Sequence, residues 1–124
     1  MSSLPHDFLT EDIDCFVLND LLDDRMVCVV CLKNVNISDE LFAKVLRFLK
    51  KFIKYISTNN KHFNFLFNTH MCETLPASRI YQLQQFTYTE HQEVITKFLC
   101  SSCIVIKNKA IKLILDFAFK FWVP

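Results

Sequence analysis

A chain of 124 residues, 52 % of them hydrophobic, is long enough to form one domain around a single core. It contains no glycine, so glycine-rich phosphate loops and dinucleotide-binding fingerprints, which need positive φ and close backbone approach, are excluded. Net charge is only +1, but it is sorted: seven acids and no Lys or Arg precede Arg25, and 14 basic residues face six acids from there onward.

Residues 1–10 read as a loose N-terminal arm, and 11–124 as one domain uninterrupted by repeats, low-complexity tracts or linkers. The first residues carry no basic segment followed by a long apolar one, so no signal peptide is expected, and no apolar run approaches the ~18 residues of a spanning helix. A cytoplasmic location follows as the expectation, with the six Cys as reduced thiols. Asp12 to Leu18 contains the first strand, and Asn19 to Asp24 supplies turn chemistry. Met26 to Leu32 is an unbroken apolar run, which predicts a strand in the sheet interior, antiparallel to the first. Ser38 is placed to cap a long helix, with Asp39 and Glu40 in its first turn. Leu41, Phe42, Val45, Phe48, Leu49, Phe52, Ile53 and Ile56 form its apolar face, and Lys44, Arg47, Lys51 and Lys54 its basic one. The helix ends near Ser57 to Asn60. Without glycine, left-handed turn positions fall to Asn or Asp, with Asp23–Asp24, Asn34, Asn59–Asn60 and Asn108 as candidates.

A third strand over His62 to Asn68 places Phe63, Phe65 and Phe67 on one face and Asn64, Leu66 and Asn68 on the other. A loop, Thr69 to Leu75, follows it. Pro76 opens a second helix with Ile80, Leu83 and Phe86 inward, which breaks near Thr87 to Thr89. Thr89-Glu90-His91-Gln92 has capping-box spacing and predicts a further helix carrying Val94, Ile95, Phe98 and Leu99 on one face. Cys103 to Ile106 reads as a strand buried on both faces. Asn108 then leads into an amphipathic helix with Ile111, Ile114, Leu115, Ala118, Phe121 and Trp122 on one side. The expected fold is α/β: one four-stranded, mostly parallel sheet with an antiparallel N-terminal strand, flanked by three to four helices in the order ββαβααβα.

That order, over about residues 12–122, resembles the STAS domain, the fold of anti-sigma-factor antagonists and of anion-transporter tails. The resemblance rests on element order and length. STAS antagonists carry an Asp-Ser-Ser-Gly-like motif at the end of the third strand, and the matching loop here reads Asn68-Thr69-His70-Met71-Cys72-Glu73-Thr74. It has neither Ser nor Gly, so the serine phosphoswitch does not carry over, and Thr69 or Thr74 is the only hydroxyl placed for such a part. The resemblance implies a non-enzymatic protein-interaction module with a protein partner docked at Thr69, His70, Glu73 and Thr74. The strand–helix ending is more weakly similar to the C-terminal lobe of CRAL-TRIO lipid-binding domains, whose full lipid-enclosing fold needs a longer chain.

Other constellations point less far. Cys28/Cys31 and Cys100/Cys103 have zinc-knuckle spacing, but the first pair lies mid-strand, where residues three apart point to opposite faces, and the second lies at a helix end, where the dipole does not favour a thiolate, so no metal site and no cofactor are expected. His70 beside Cys72 is the one place for a Cys/His nucleophile pair, and it lacks a visible orienting third group, so no enzymatic activity is expected. Lys44, Arg47, Lys51 and Lys54, with Lys50 beside them, suit an anionic lipid or membrane surface. The aromatics sit at core spacing with no RNA-type stacking motif, which argues against nucleic acid. Thirteen Phe with abundant Lys, Ile and Asn and no Gly is what an AT-rich viral or low-GC microbial genome produces.

Overall fold

The computed structural model describes residues 3–20, 25–72, 74 and 77–105. Five strands form one mixed sheet in the order β1-β2-β3-β4-β5: Phe8–Leu9, Ile13–Asp20, Arg25–Leu32, Phe63–Asn68 and Leu99–Val105. β1, β2 and β3 are antiparallel neighbours, and β3, β4 and β5 run parallel. The two parallel steps need crossovers. The first is helix α1, Asp39–Asn59. The second runs through α2 (Ala77–Gln85), a π-helical turn over Phe86–Glu90, and α3 (Gln92–Phe98).

The sheet thus has five strands rather than the expected four. The added strand comes from the arm read as loose, which is tied down: Phe8 and Leu9 pair with Cys15 and Asp14, Pro5 is buried, and the Phe8 ring meets Phe48 edge-on at 5.8 Å. Thr10 secures the following turn, its hydroxyl accepting from the Ile13 amide at 2.9 Å while Lys33 bridges to Asp14 at 2.8 Å. Two residues alternating with polar neighbours are too few for a periodicity signal.

α1 forms where its sequence says it should. The Ser38 hydroxyl accepts from the Leu41 amide at 3.1 Å, and Asp39 and Glu40 occupy the positive end of the dipole. Its inward stripe, Phe42, Val45, Phe48, Leu49, Phe52, Ile53 and Ile56, is buried against one sheet face made by Ile13, Cys15, Met26, Cys28, Val30, Leu32, Phe63 and Phe67. Asn60 ends the helix in the left-handed region at φ 50°, the one such residue among those described. Asn34 turns the chain differently, its side chain accepting from the Asn36 amide at 3.1 Å. Asp23–Asp24 and Asn108 lie outside the described residues.

The second crossover departs from expectation in two ways. The chain does not break at Thr87 to Thr89 but widens into the π-helical turn, with the Thr87 hydroxyl donating to the carbonyls of Leu83 and Gln84. No capping box forms either: Thr89 donates to Gln85, and His91, at the start of α3, makes no side-chain cap bond. α3 starts afresh at His91, whose backbone leaves the helical region at φ −127° and ψ 23°, and its N-terminus carries no side-chain cap.

β5 begins at Leu99, four residues before the expected strand, and it is not buried on both faces. Ser101, Ser102 and Cys103 are exposed and Ile104 and Val105 half-buried, because β5 has a partner on one side only among the described residues. The apolar run Cys103 to Ile106 looked interior because apolar edge and apolar centre read alike in sequence. α1, the π-helical turn and α3 share one face of the sheet, where Leu49, Phe52, Phe65, Leu83, Phe86 and Ile95 enclose an apolar cavity of about 40 Å³. The other face carries Phe16, Val29, Leu66 and Cys103 in one row of register. The helix expected over Ala110 to Phe121 lies outside the described residues.

Candidate functional site

The loop after β4 is held from three sides. Asn68 accepts from the His70 amide at 2.9 Å, Thr69 gives both its amide (2.9 Å) and its hydroxyl (2.7 Å) to the Val105 carbonyl, and Cys72 Sγ donates to the Leu32 carbonyl at 3.3 Å. The loop therefore ties together the carboxyl ends of β3, β4 and β5. Thr69 is 0 % exposed, so its expected place in a docking surface is corrected: its hydroxyl is spent on the neighbouring strand. His70, Met71 and Thr74 are exposed at the tip, and Glu73 lies outside the described residues.

Nucleophilic chemistry is not assembled in this loop. Cys72 points inward while His70 points out, and burial first, then the neighbouring Cys31, pushes the Cys72 thiol above its ordinary pKa. A reactive thiolate needs the opposite shift. The other thiols behave as core hydrophobes or surface residues. Cys15 and Cys28 are fully buried, with burial pushing Cys15 up to about 12 and Cys28 higher still. Cys28 and Cys31 occupy opposite faces of β3, and Cys100 and Cys103 are exposed on β5. Among the described residues no cluster of His, Cys, Asp and Glu is arranged to hold a metal ion.

The basic helix face is a different matter. Lys44, Arg47, Lys50, Lys51 and Lys54 are all exposed, and none forms an ion pair or hydrogen bond with a described residue. Two cations elsewhere are paired with acids, Lys33 with Asp14 and Arg79 with Asp39. The contrast follows from the helix itself. Asp39 and Glu40 sit at its N-terminus, and no acid occurs between Lys44 and Asn59 to offer an i, i+4 partner.

Arg79 sets α2 beside α1. Its guanidinium lies 4.9 Å over the Phe42 ring and donates to the Ile37 carbonyl at 3.0 Å, to the Asp39 carboxylate and to Gln82 Oε1 at 3.1 Å. Two connected grooves result, sharing Tyr81 and Gln82. One, of about 660 Å³, runs from Val35 and Ile37 to Arg79. The other, of about 330 Å³, is walled by Leu46, Arg47 and Lys50 of α1 and by Tyr81, Gln82 and Gln85 of α2, with Phe86 and Glu90 of the π-helical turn. His91 stands next to it, its ring 4.5 Å from Phe86 and its Nε2 buried without a hydrogen-bond partner among the described residues. Burial lowers the His91 pKa, Glu90 opposes this, and Lys50 adds to it.

Of the residues singled out in the sequence, the structure brings Lys44, Arg47, Lys51 and Lys54 to one exposed face and puts His70 and Thr74 at a separate loop. The α2 wall of the groove escaped sequence reasoning. Tyr81, Gln82 and Gln85 lie on the polar side of α2 at the same i, i+1, i+4 spacing as Leu46, Arg47 and Lys50 on α1, a usable signal only once the helices are known to be neighbours. Compared with protein-family models, curated proteins and solved structures, the chain matches none.

Proposed function

We propose that the chain is a non-enzymatic, STAS-like docking module that attaches to an anionic lipid surface through the outward face of α1. The observation that carries this reading is the set of five cations, unpaired among the described residues, on one exposed helix face whose opposite face is committed to the core. Because the apolar stripe of α1 is buried, attachment is electrostatic and peripheral. No helix among the described residues is long and apolar enough to cross a membrane. The order from β2 to β5, two strands, a helix, a strand, two helices and a strand, supports the STAS-like part of the reading.

Each Lys or Arg near an anionic surface contributes about 1 kcal/mol. Reversing Lys44, Arg47, Lys51 and Lys54 to Glu therefore removes about 4 kcal/mol or more, roughly a thousandfold in affinity. Wild type should sediment with phosphatidylcholine vesicles containing phosphatidylserine, not with phosphatidylcholine alone, and release as salt screens the charges. The reversed variant should stay in solution while unfolding at the same temperature. Failure of wild type to bind at low salt refutes the proposal.

A second reading keeps the loop after β4 as the dock for a protein partner. It is favoured by exposed His70, Met71 and Thr74 standing on a loop fastened to three strands, a rigid platform for variable contacts.

A further inference from the structure

The groove between α1 and α2 has more order than electrostatic attachment requires. Arg47 and Lys50 reach it from one wall without acceptors among the described residues. On the facing wall the two amide side chains are turned by their own hydrogen bonds. Gln82 Oε1 accepts from Arg79 Nη1 at 3.1 Å, and Gln85 Oε1 accepts from Thr89 Oγ1 at 3.3 Å. Each amide has its oxygen occupied and its NH2 group without an acceptor among the described residues, so what it offers a ligand is a donor. The Tyr81 hydroxyl is likewise without a partner there, on a side chain 59 % exposed. Against this stands one acid, Glu90, at the end of the groove, mostly exposed and 4.0 Å from His91 Nε2.

Resting on the reading of α1 as an anionic-surface face, we propose that this groove is a binding site for a phosphomonoester, carried to it on a lipid headgroup. A phosphomonoester presents three strong acceptor oxygens and a charge of about −1.5 to −2. Its oxygens diverge and are matched by donors from both walls: a guanidinium suited to bidentate contact, an ammonium, two amides and a phenol. A carboxylate or phosphodiester carries less charge, and it would leave more of these donors unmet. Lys44, Lys51 and Lys54 lie on the same helix face, and they hold the surrounding bilayer while the groove selects the headgroup.

The test uses the whole chain and vesicles of phosphatidylcholine carrying either phosphatidylinositol monophosphate or phosphatidylserine, matched in surface charge. Wild type should prefer the phosphomonoester vesicles by roughly tenfold or more, beyond what charge alone supplies. Tyr81→Ala/Gln85→Ala, which removes two exposed neutral donors, should abolish that preference and leave phosphatidylserine binding unchanged. Titration with glycerophosphoinositol monophosphate, the same headgroup without acyl chains, and with inorganic phosphate identifies the source. Displacement by the headgroup compound alone supports a lipid headgroup, and equal displacement by inorganic phosphate overturns that assignment. Equal binding to both vesicle types with no headgroup binding overturns the phosphomonoester site and leaves the basic face standing. Absence of binding to any vesicle sinks the reading of α1, and the headgroup titration then decides the groove by itself.

Discussion

Thr69 offers the sharpest check on how the loop after β4 is built. Its side chain is 0 % exposed, and its hydroxyl donates at 2.7 Å to a carbonyl that also receives its own amide. Three substitutions separate the contributions. Thr69→Val keeps the volume and removes the donor. The Val105 carbonyl still has the amide at position 69, so the loss is one net hydrogen bond, about 1 kcal/mol. Thr69→Ser keeps the donor and removes a buried methyl, which costs about 0.8 kcal/mol plus a small cavity. Thr69→Ala loses both, about 2 kcal/mol. In a domain whose total stability is on the order of 5–15 kcal/mol, each step is measurable as a shift of the urea midpoint at constant slope. His70→Ala, at the exposed tip, should stay within about 0.5 kcal/mol of wild type. If Thr69→Val and Thr69→Ala both match wild type, the hydroxyl faces water and the account of this loop as a tie between β4 and β5 is wrong.

Two further outcomes follow from the core. Phe52, 1 % exposed and edge-on to Phe63 at 5.2 Å beside the existing cavity, should cost about 3–5 kcal/mol as Phe52→Ala, read by thermal unfolding; a loss below about 1 kcal/mol would mean the cavity wall collapses freely. The buried thiols set an alkaline limit: Cys15 is held protonated up to about 12 in the fold, whereas the unfolded chain ionises near 9.0, so above about pH 9 the unfolded state binds fewer protons and stability falls. At about pH 10.5 the Cys15 contribution is about 2 kcal/mol, and Cys15→Ala should flatten the decline measured by urea unfolding across that range; an unchanged slope would place the thiol in water.

Long periodic segments were legible from sequence because one physical rule dominated them. The stripe from Phe42 to Ile56, the Ser38 cap and the alternation in Phe63 to Asn68 need only helix or strand geometry and burial. Where two rules compete, sequence reading failed. Thr89 has cap chemistry, but the π-helical turn carries the chain through it, and Thr89 is left to bond Gln85. Phe8–Leu9 is too short to show a period, and its strand exists because β2 presents a free edge and Phe48 a ring. The basic face was readable as spacing, but its status as unpaired was not, since that depends on which acids fold close by. The α2 wall of the groove could not be read at all, because the Arg79 contacts to Ile37 and Asp39 that seat α2 span about forty residues of sequence.

The strand order also bears on how the chain assembles as it is synthesised. In space β1 to β5 stand in the order in which a ribosome delivers them, so each strand meets its neighbour already made and never has to insert between two others. The antiparallel pair β2–β3 closes over a short connection, and each parallel strand then waits only for its own crossover helix. The vulnerable edge moves outward with every addition, and in the described residues it comes to rest on β5, where the exposed Ser101 and Ser102 interrupt an otherwise apolar strand.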